Sequence, residues 1–286
     1  MLLLLLLMPW LAAAALPDLA PLAAPAQGRV GAAFSLLDTD KAYAFHGNDR
    51  FPSPGVARLP ALLLLMQRLD TGRLANNQLV QITTEDFVPA PAPSALRDRY
   101  PRGTSMMLSE LLDTFAPGSD ATTADVLLRL LGGPEEMDGF LAFLRIPGMK
   151  LEHNERRIAG KPGLAGRNYT TPVAAIHLLH ALMNPRRLKP ETRQRLAGML
   201  GAPSDGGRGI SGLLPPGALV AHVRGGTETV KGVTAATNEC GIVTLPGGRR
   251  LAVVILIADA RAPLALREQV IARIARAAYD WAMALP

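Results

Sequence analysis

The order of the hydrophobic patterns along this chain is the feature that most constrains its fold. Two β-like runs, R-V-G-A-A-F-S-L-L-D and K-A-Y-A-F-H, come first and are joined by a D-T-D turn signal. Helical periodicity dominates from about Ala57 to Gly201, and strand-like runs then return in G-A-L-V-A-H-V, T-A-A-T-N-E-C-G-I-V-T-L and R-L-A-V-V-I-L-I-A-D. The last run, L-R-E-Q-V-I-A-R-I-A-R-A-A-Y-D-W-A, has the pattern of an amphipathic helix. Strands from both ends of the chain therefore predict one antiparallel sheet, with a helical lobe inserted between its halves.

The predicted fold class is α/β, with an antiparallel sheet flanked by helices beside an all-helical lobe. The 286 residues are 49% hydrophobic and 19% charged, which is enough to bury a sizeable core. We place the sheet lobe at about residues 27–56 and 202–286, and the helical lobe at about 57–201. Together they form one domain, residues 27–286.

The N-terminal run M-L-L-L-L-L-L-M-P-W-L-A-A-A-A-L indicates a secretory signal. It is too short to span a bilayer comfortably, and small residues and proline follow it. We assign residues 1–26 to this signal, cleaved after Ala15 or Ala26, and expect a periplasmic or secreted protein. No Lys or Arg precedes the run, so an uncleaved anchor or a misassigned start codon is the alternative.

The charge and cysteine content exclude several classes of function. The net charge is +6, but the basic residues in D-R-Y-P-R, N-P-R-R-L-K-P-E-T-R-Q-R and R-E-Q-V-I-A-R-I-A-R are spaced along helix faces and loops, without aromatic interleaving. This pattern is typical of solvated surface, and we expect no nucleic-acid partner. Cys240 is the single cysteine, so no intramolecular disulfide forms, and its strand-like surroundings predict a buried structural thiol.

The stretch F-P-S-P-G-V-A-R-L-P-A-L-L-L-L-M, residues 51–66, leads from a proline-marked loop into an apolar helix. A helix N-terminus of this kind suits a displayed nucleophile, because orphan N–H groups and the helix dipole favour an oxyanion. Here the position belongs to Gly55, which has no side chain. Arg58 stands one turn later, where a basic partner of a hydroxyl would be expected.

The wording and order of several segments carry a resemblance to a known family. They are L-D-T-G-R-L, L-S-E-L-L-D, L-L-R-L-L-G-G-P-E, I-S-G-L-L-P-P-G-A-L-V-A-H and A-A-T-N-E-C-G-I-V-T-L-P-G-G-R. From about Arg29 to Trp281 the chain resembles a class A β-lactamase of the serine penicillin-recognising family, and the last two segments resemble its extended-spectrum branch. The resemblance implies the β-lactamase-like two-lobed fold, a monomer without cofactor or metal, and a β-lactam or peptidoglycan-like ligand.

The family motif S-x-x-K reads G-V-A-R in this chain. By the resemblance, Gly55 replaces the catalytic serine and Arg58 replaces the lysine. Arginine stays protonated at ordinary pH, so it can hold a carboxylate but cannot accept a proton. Ser53 precedes Pro54, two residues before the required position, and is a poor substitute.

The motif S-D-N is kept in part as S-D-A. The resemblance implies that Ser119 retains the hydroxyl that relays a proton to the leaving nitrogen, while Asp120 is structural. Ala121 removes the amide that would bind the lysine and the substrate.

The motif K-T-G reads V-R-G, with Val223 in place of the lysine that helps hold the antibiotic's carboxylate. Arg224 and Gly225 complete the motif and, with Gly226, are expected to line the ligand site. Neighbouring side chains on a strand point to opposite faces, so Arg224 is not assumed to replace that lysine.

The resemblance assigns the family's deacylating glutamate to Glu155, and Ala159 stands where its water-positioning Asn or His is expected. With that partner gone, we expect Glu155 to pair with Arg58 rather than act as a base. The backbone N–H groups of Gly55 and Gly226 match the oxyanion hole, which needs no side chain.

Other candidate residues carry weaker signals. His177 and His180 lie on one helix face without a third ligand, which favours packed histidines over a metal site. The resemblance implies that His222 lies on the outer face of its strand. Met106 and Met107 are read as core filler, and D-F-V-P-A-P-A-P-S-A is read as a loop at the cleft rim.

Three hypotheses of function follow. The first is a catalytically impaired β-lactamase homologue that binds β-lactam or cell-wall-derived ligands. The second is an active β-lactam hydrolase that uses a non-standard nucleophile or water. The third is a periplasmic interaction protein that keeps only the scaffold.

Overall fold

The computed structural model of this protein describes residues 16–90, 92–115, 120–201 and 207–285. The strands in these ranges are β1 (Arg29–Leu36), β2 (Ala42–Phe45), β3 (Phe51–Pro52), β4 (Leu79–Ile82), β5 (Thr104–Met107), β6 (Met149–Lys150), β7 (Tyr169–Thr170), β8 (Leu219–Gly226), β9 (Thr229–Val230), β10 (Val233–Thr244) and β11 (Arg250–Ala260). The α-helices are α1 (Ala20–Ala23), α2 (Leu59–Asp70), α3 (Ala95–Arg99), α4 (Leu108–Asp113), α5 (Ala121–Leu130), α6 (Pro134–Phe143), α7 (Glu155–Gly160), α8 (Pro172–Met183), α9 (Pro190–Leu200) and α10 (Leu264–Ala284).

The main sheet is built from both ends of the chain, which confirms the predicted fold class. Its strand order is β2-β1-β11-β10-β8, with β9 paired to β10, and all neighbours are antiparallel. Arg29 at the start of β1 pairs with Ala258 near the end of β11. Within the described residues, β8 is an edge strand of this sheet, and its free edge faces the start of α2.

Both faces of the sheet are covered, which explains why β11 reads as a continuous apolar run. Val253 and Ile255 point into a core formed with α10, whereas Val254 and Leu256 point into a core shared with the helical lobe. All four side chains are fully buried. The side-chain period of two thus supplies two separate hydrophobic cores from one strand.

The helical lobe surrounds α2, whose first eight residues are all buried. A helix that is apolar on every side belongs at the centre of its lobe, and α2 packs against α5, α6 and α8. Pro60 lies in its first turn, where a missing N–H costs nothing. This rigid helix fixes the position of Arg58, which lies immediately before it.

The lobe is not wholly helical, because β4 and β5 form a two-stranded ribbon within it. The alternation along β5 directs Met106 toward the core and leaves Met107 41% exposed. The prediction of core filler is therefore wrong for Met107. Cys240, in contrast, is 1% exposed on β10, as predicted, and burial raises the pKa of its thiol to about 12.

The segment before β1 packs into the domain. Leu19 and Ala26 are fully buried and Ala23 is 7% exposed, all in the core beneath α10. The proposed signal, residues 1–26, lies partly outside the described residues, but its last eleven positions belong to this packed segment. Among the described helices, none combines the length and apolarity needed to cross a bilayer.

Candidate active-site cleft

A cleft of about 670 Å³ lies where the start of α2 meets the free edge of β8. The structure brings most of the predicted site positions to it, namely Gly55, Arg58, Ala121, Glu155, Arg224, Gly225 and Gly226. Ser119 lies outside the described residues. Ala92 and Pro93 also line the cleft, so the proline-rich loop does reach its rim.

Gly55 adopts a backbone conformation that leaves no room for a side chain. Its φ is +76°, a region that L side chains rarely adopt. A Cβ at this position would overlap the carbonyl oxygen of Arg224 and would lie 2.9 Å from the Cα of Gly225. The backbone at this position therefore excludes the side chain of a nucleophile, and glycine itself supplies none.

Ser53 is not placed to act in the cleft. It is fully buried, and its hydroxyl lines a smaller neighbouring cavity of about 140 Å³. Among the described residues, this hydroxyl has no hydrogen-bond partner. Ser53 does not line the larger cleft, so the structure gives it no access to a ligand bound there.

Arg58 and Glu155 form the ion pair expected from the sequence. The Arg58 Nη2 atom lies 2.8 Å from the Glu155 Oε1 atom, and the Nε atom donates to the same oxygen at 2.9 Å. Their side chains are 20% and 29% exposed, so water screens the pair only in part. The pairing occupies the one cleft carboxylate that the resemblance assigns to base catalysis.

Asp125 holds the backbone at Glu155 in place. This role was not predicted from the sequence. The two carboxylate oxygens of Asp125 accept the backbone N–H groups of Glu155 and Arg156, each at 2.7 Å. The pKa of Asp125 is raised to about 7, mainly by burial; the Glu155 charge also raises the pKa, while the two N–H donors and Arg58 lower it. The sequence feature that could have identified Asp125 is an acidic residue within the apolar helix A-D-V-L-L-R-L.

Ala159, which stands where the family has its water-positioning residue, lines neither cavity. Ile158 and Ala165, rather than Ala159, line the smaller cavity beside Glu155. Both are apolar, so neither can donate or accept a hydrogen bond through its side chain.

The free edge of β8 directs the backbone N–H of Gly226 toward the cleft. The Thr227 N–H donates to the Ala236 carbonyl at 3.1 Å, which marks this as a hydrogen-bonded pair. In an antiparallel ladder such pairs alternate, so the pair of Gly226 with Thr237 does not exchange hydrogen bonds. The Gly226 N–H therefore points away from β10 and into the cleft.

Gly225 allows the start of α2 to approach β8 closely. A Cβ on Gly225 would overlap the Pro54 carbonyl and would lie 2.6 Å from the Gly55 nitrogen. This approach places the Gly55 amide beside the strand edge that presents Gly226. The two predicted oxyanion positions are thus neighbours.

The two side chains that replace the lysine and threonine of K-T-G point to opposite faces of β8. Val223 is 7% exposed in the core shared with the helical lobe. The Arg224 Nε atom lies 3.2 Å from Glu239 Oε1, and its Nη2 atom donates to the Arg208 carbonyl at 2.5 Å. Arg224 therefore lines the cleft from the face opposite to Val223, with its guanidinium engaged by Glu239 and the Arg208 carbonyl.

His222 shares the face of Arg224 and is also bound to Glu239. Its Nδ1 atom lies 2.6 Å from Glu239 Oε1, and the two residues are 5% and 2% exposed. The prediction of the outer face is right for the direction of His222, opposite to Val223, but the side chain is buried. Glu239 is thus a buried carboxylate held between an imidazole and a guanidinium.

Asp120 has the structural role expected of it. As the N-cap of α5 it accepts the Thr123 N–H at 2.9 Å, and it also accepts the Ser94 hydroxyl at 3.0 Å and the Leu96 N–H at 2.7 Å. Ala121 follows it at the cleft and presents no polar group.

Arg267 on α10 is a basic side chain of the cleft that the sequence reading assigned to solvated surface. It is 4% exposed, lines the cleft, and donates from Nη1 to Thr237 Oγ1 at 2.7 Å. Its Nε atom is buried without a hydrogen-bond partner among the described residues. Its spacing of three and four residues from the buried Val270 and Ile271 was the available signal.

The histidine pair of α8 lies in a different pocket from the cleft. His180 Nε2 is 2.5 Å from Ser35 Oγ, and His177 is exposed. Within the described ranges, no three His, Cys, Asp or Glu residues are grouped as metal ligands would be.

The sequence as a whole matches known proteins. A family model described as the beta-lactamase enzyme family matches residues 14–282. This chain belongs to the class A β-lactamase family. Among curated members, it is 25% identical to β-lactamase VEB-1 of Pseudomonas aeruginosa over 88% of this chain and 85% of that one. It is 27% identical to the extended-spectrum β-lactamase PER-1 of the same organism, over 82% and 76% of the two chains.

Solved structures of class A members share the fold. A β-lactamase from Chitinophaga pinensis superimposes with a TM-score of 0.86 at 34% identity, covering 92% of this chain and 97% of the other. The TLA-1 extended-spectrum β-lactamase gives a TM-score of 0.84 at 25% identity, covering 92% and 98%. The class A chain described here thus has the two-lobed arrangement of its relatives.

Proposed function

We propose that this class A family member binds a β-lactam or a peptidoglycan-derived ligand in its cleft without forming an acyl-enzyme. The observation that carries the proposal is the geometry of Gly55. An acyl-enzyme needs a nucleophilic atom at the start of α2, and Gly55 has neither a side chain nor the space for one.

The surrounding groups support a site without proton transfer. Arg58 cannot act as a base, because its guanidinium stays charged at any ordinary pH. Glu155 is engaged by that guanidinium at 2.8 Å, and Val223 contributes only an apolar surface. None of these three side chains can take a proton from a nucleophile in the way that a neutral lysine or a free carboxylate does.

The groups that recognise a ligand are better preserved than those that react with it. The neighbouring amides of Gly55 and Gly226 can donate to a carbonyl oxygen. Arg267 lines the cleft, with its Nη1 atom donating to Thr237, and its guanidinium supplies a positive charge for a carboxylate. A ligand with a carbonyl group and a nearby carboxylate, as in penicillins and peptidoglycan stem peptides, fits this set of donors.

Thermal shift and intact-protein mass spectrometry test the proposal together. We expect penicillins or soluble peptidoglycan fragments to stabilise the protein, by about 2.7 kcal/mol at a hundred times the dissociation constant, with no covalent adduct. Arg267→Ala should weaken this binding about tenfold. Arg273→Ala removes an exposed charge from the same helix and should leave binding unchanged.

Two results would point to the other hypotheses. A covalent adduct, or hydrolysis of a chromogenic cephalosporin by the pure protein, would establish an active hydrolase with another nucleophile or an activated water. An absence of stabilisation by every penicillin and peptidoglycan fragment would favour a protein that keeps only the scaffold. Cephalosporin hydrolysis that Glu155→Gln abolishes would specifically identify an activated water.

A further inference from the structure

A second pocket, of about 720 Å³, shares no lining residue with the cleft. It lies between the turn that joins β1 to β2, the end of α6, the C-terminal half of α8 and the start of β11. We refer to it as the basic pocket, since its lining includes five basic side chains, namely Lys41, Arg145, Arg186, Arg187 and Arg250, and only two acidic ones, Asp38 and Asp40.

The charges of the basic pocket are mostly uncompensated. Arg250 is paired with Asp38, at 3.1 Å between Nη2 and Oδ1. Across the described part of the chain, the side chains of Lys41, Arg145 and Arg186 form no ion pair with any carboxylate. Several like charges gathered from separate segments repel one another, and an anion placed among them removes this repulsion.

Arg145 occupies a backbone position where glycine is preferred. It follows the end of α6 with a φ of +57°, and its N–H donates to the Ala142 carbonyl at 3.0 Å. The next N–H, of Ile146, donates to the Leu141 carbonyl at 3.0 Å. Helices commonly end on a left-handed glycine at this position, and a long side chain there carries a conformational cost. Such a cost is retained where the side chain has a use, and this one lines the basic pocket.

Two imidazoles also line the basic pocket. His180 is oriented by its 2.5 Å contact with the Ser35 hydroxyl, which is 2% exposed. Burial and the neighbouring His177 lower the pKa of His180, so an N–H of its neutral ring remains for hydrogen bonding. His177 lies one turn earlier on the same helix and also lines the pocket.

We propose that the basic pocket binds a small polyanion carrying phosphate or carboxylate groups. Arginines from the end of α6, the segment after α8 and the start of β11 line one space. The planar guanidinium groups of Arg145 and Arg186 can each hold two oxygens of such a group at once. The site is independent of the cleft, and its occupancy does not depend on whether the cleft binds a ligand.

Calorimetric titration of the full protein with pyrophosphate and with citrate, at constant ionic strength, tests this inference. We expect saturable binding of at least one of them. Tighter binding of pyrophosphate would indicate a phosphate site, and tighter binding of citrate would indicate a carboxylate site. Arg145→Gly should weaken binding about tenfold or more, and its melting temperature should not fall, because glycine suits the backbone at this position. Arg186→Ala should also weaken binding, whereas Arg273→Ala should not.

Three results would overturn the proposal. They are an absence of saturable binding of both anions, equal binding by Arg145→Gly and the unmodified protein, and an equal loss in Arg273→Ala, which would indicate unspecific attraction to a basic protein. A saturating penicillin should leave the titration unchanged. This result separates the basic pocket from the cleft, whatever the outcome for the cleft.

Discussion

The backbone of Gly55 lies directly against the carbonyl group of Arg224, with no space for a Cβ between them. This contact between the start of α2 and the edge of β8 joins the two lobes at the cleft. It also changes what a repaired nucleophile would require, since a serine must displace the backbone before it can react.

Gly55→Ser should destabilise the protein by about 1–3 kcal/mol, because a side chain at φ +76° meets both an unfavourable backbone region and the Arg224 carbonyl. No penicillin adduct should appear, since the new hydroxyl would face the charged Arg58. Denaturant titration and intact-protein mass spectrometry measure the two effects. Gly55→Ala is the control, and an equal loss of stability in both variants identifies the Cβ as the cause. If Gly55→Ser were as stable as the original protein, the Arg224 carbonyl would not restrict a side chain at position 55.

Replacing Arg224 by threonine, as a reconstruction of the K-T-G motif would require, should destabilise the fold by about 3 kcal/mol. The change removes a guanidinium from Glu239, which is 2% exposed and keeps its contact with His222. Chemical denaturation of Arg224→Thr, Glu239→Gln and the double variant measures the coupling. We expect the double variant to recover part of the loss. Strictly additive effects would contradict a direct interaction between the two charges.

Repair of acylation should require several substitutions together. Gly55→Ser supplies the hydroxyl, and Arg58→Lys supplies a base that can titrate. Val223→Lys restores a positive charge on the face of β8 toward the helical lobe. Groups that act as a unit are strongly non-additive, so a slow penicillin adduct should appear mainly in the combined variant. Mass spectrometry after manual mixing detects it. Full adduct formation by Gly55→Ser alone would show that Arg58 does not prevent the reaction.

Asp125 should make the protein less stable as the pH rises from about 4 to about 7. Its folded-state pKa of about 7 lies above its ordinary value of 3.8, so the folded state binds more protons than the unfolded state in this window. Stability therefore falls with rising pH and levels off above pH 7, by a few kcal/mol at most. Denaturation of the original protein and of Asp125→Asn, compared across this range, measures the effect. Parallel pH profiles for the two proteins would exclude Asp125 as its source.

A truncated protein that begins at Gln27 should be less stable than one that begins at Leu16, by about 2–4 kcal/mol. The shorter chain lacks Leu19, Ala23 and Ala26, which fill the core beneath α10. Thermal denaturation of the two proteins tests this, with a chain that begins at Asp18 as the control. Equal melting temperatures would show that the packed segment adds nothing.

The sheet and the position of the cleft were predictable because they depend on periodicity and chain order. The period of two in β11 and the helical middle give the topology without any side-chain detail. The pairing of Arg58 with Glu155 followed once the resemblance placed both at one site, since an arginine and a carboxylate that meet in a partly buried cleft bind each other.

Other features depended on packing that no local pattern encodes. Arg267 belongs to an amphipathic helix, and its spacing does not tell whether the side chain reaches solvent or a cleft. In the sequence, Asp125 looks like any acidic residue on a helix, because its contacts with the start of α7 depend on the tertiary structure. The backbone conformation of Gly55 likewise results from the approach of β8, which is remote in sequence.

The pairing of β1 with β11 also has a consequence for how the chain acquires its structure. Because Arg29 meets Ala258, the sheet cannot close until almost all of the polypeptide has left the ribosome. Contacts over such a long separation form slowly, since a large loop must be ordered before they give any stability. β1 can pair with β2 early in synthesis, but its other edge must wait for β11 until the end of the chain is made.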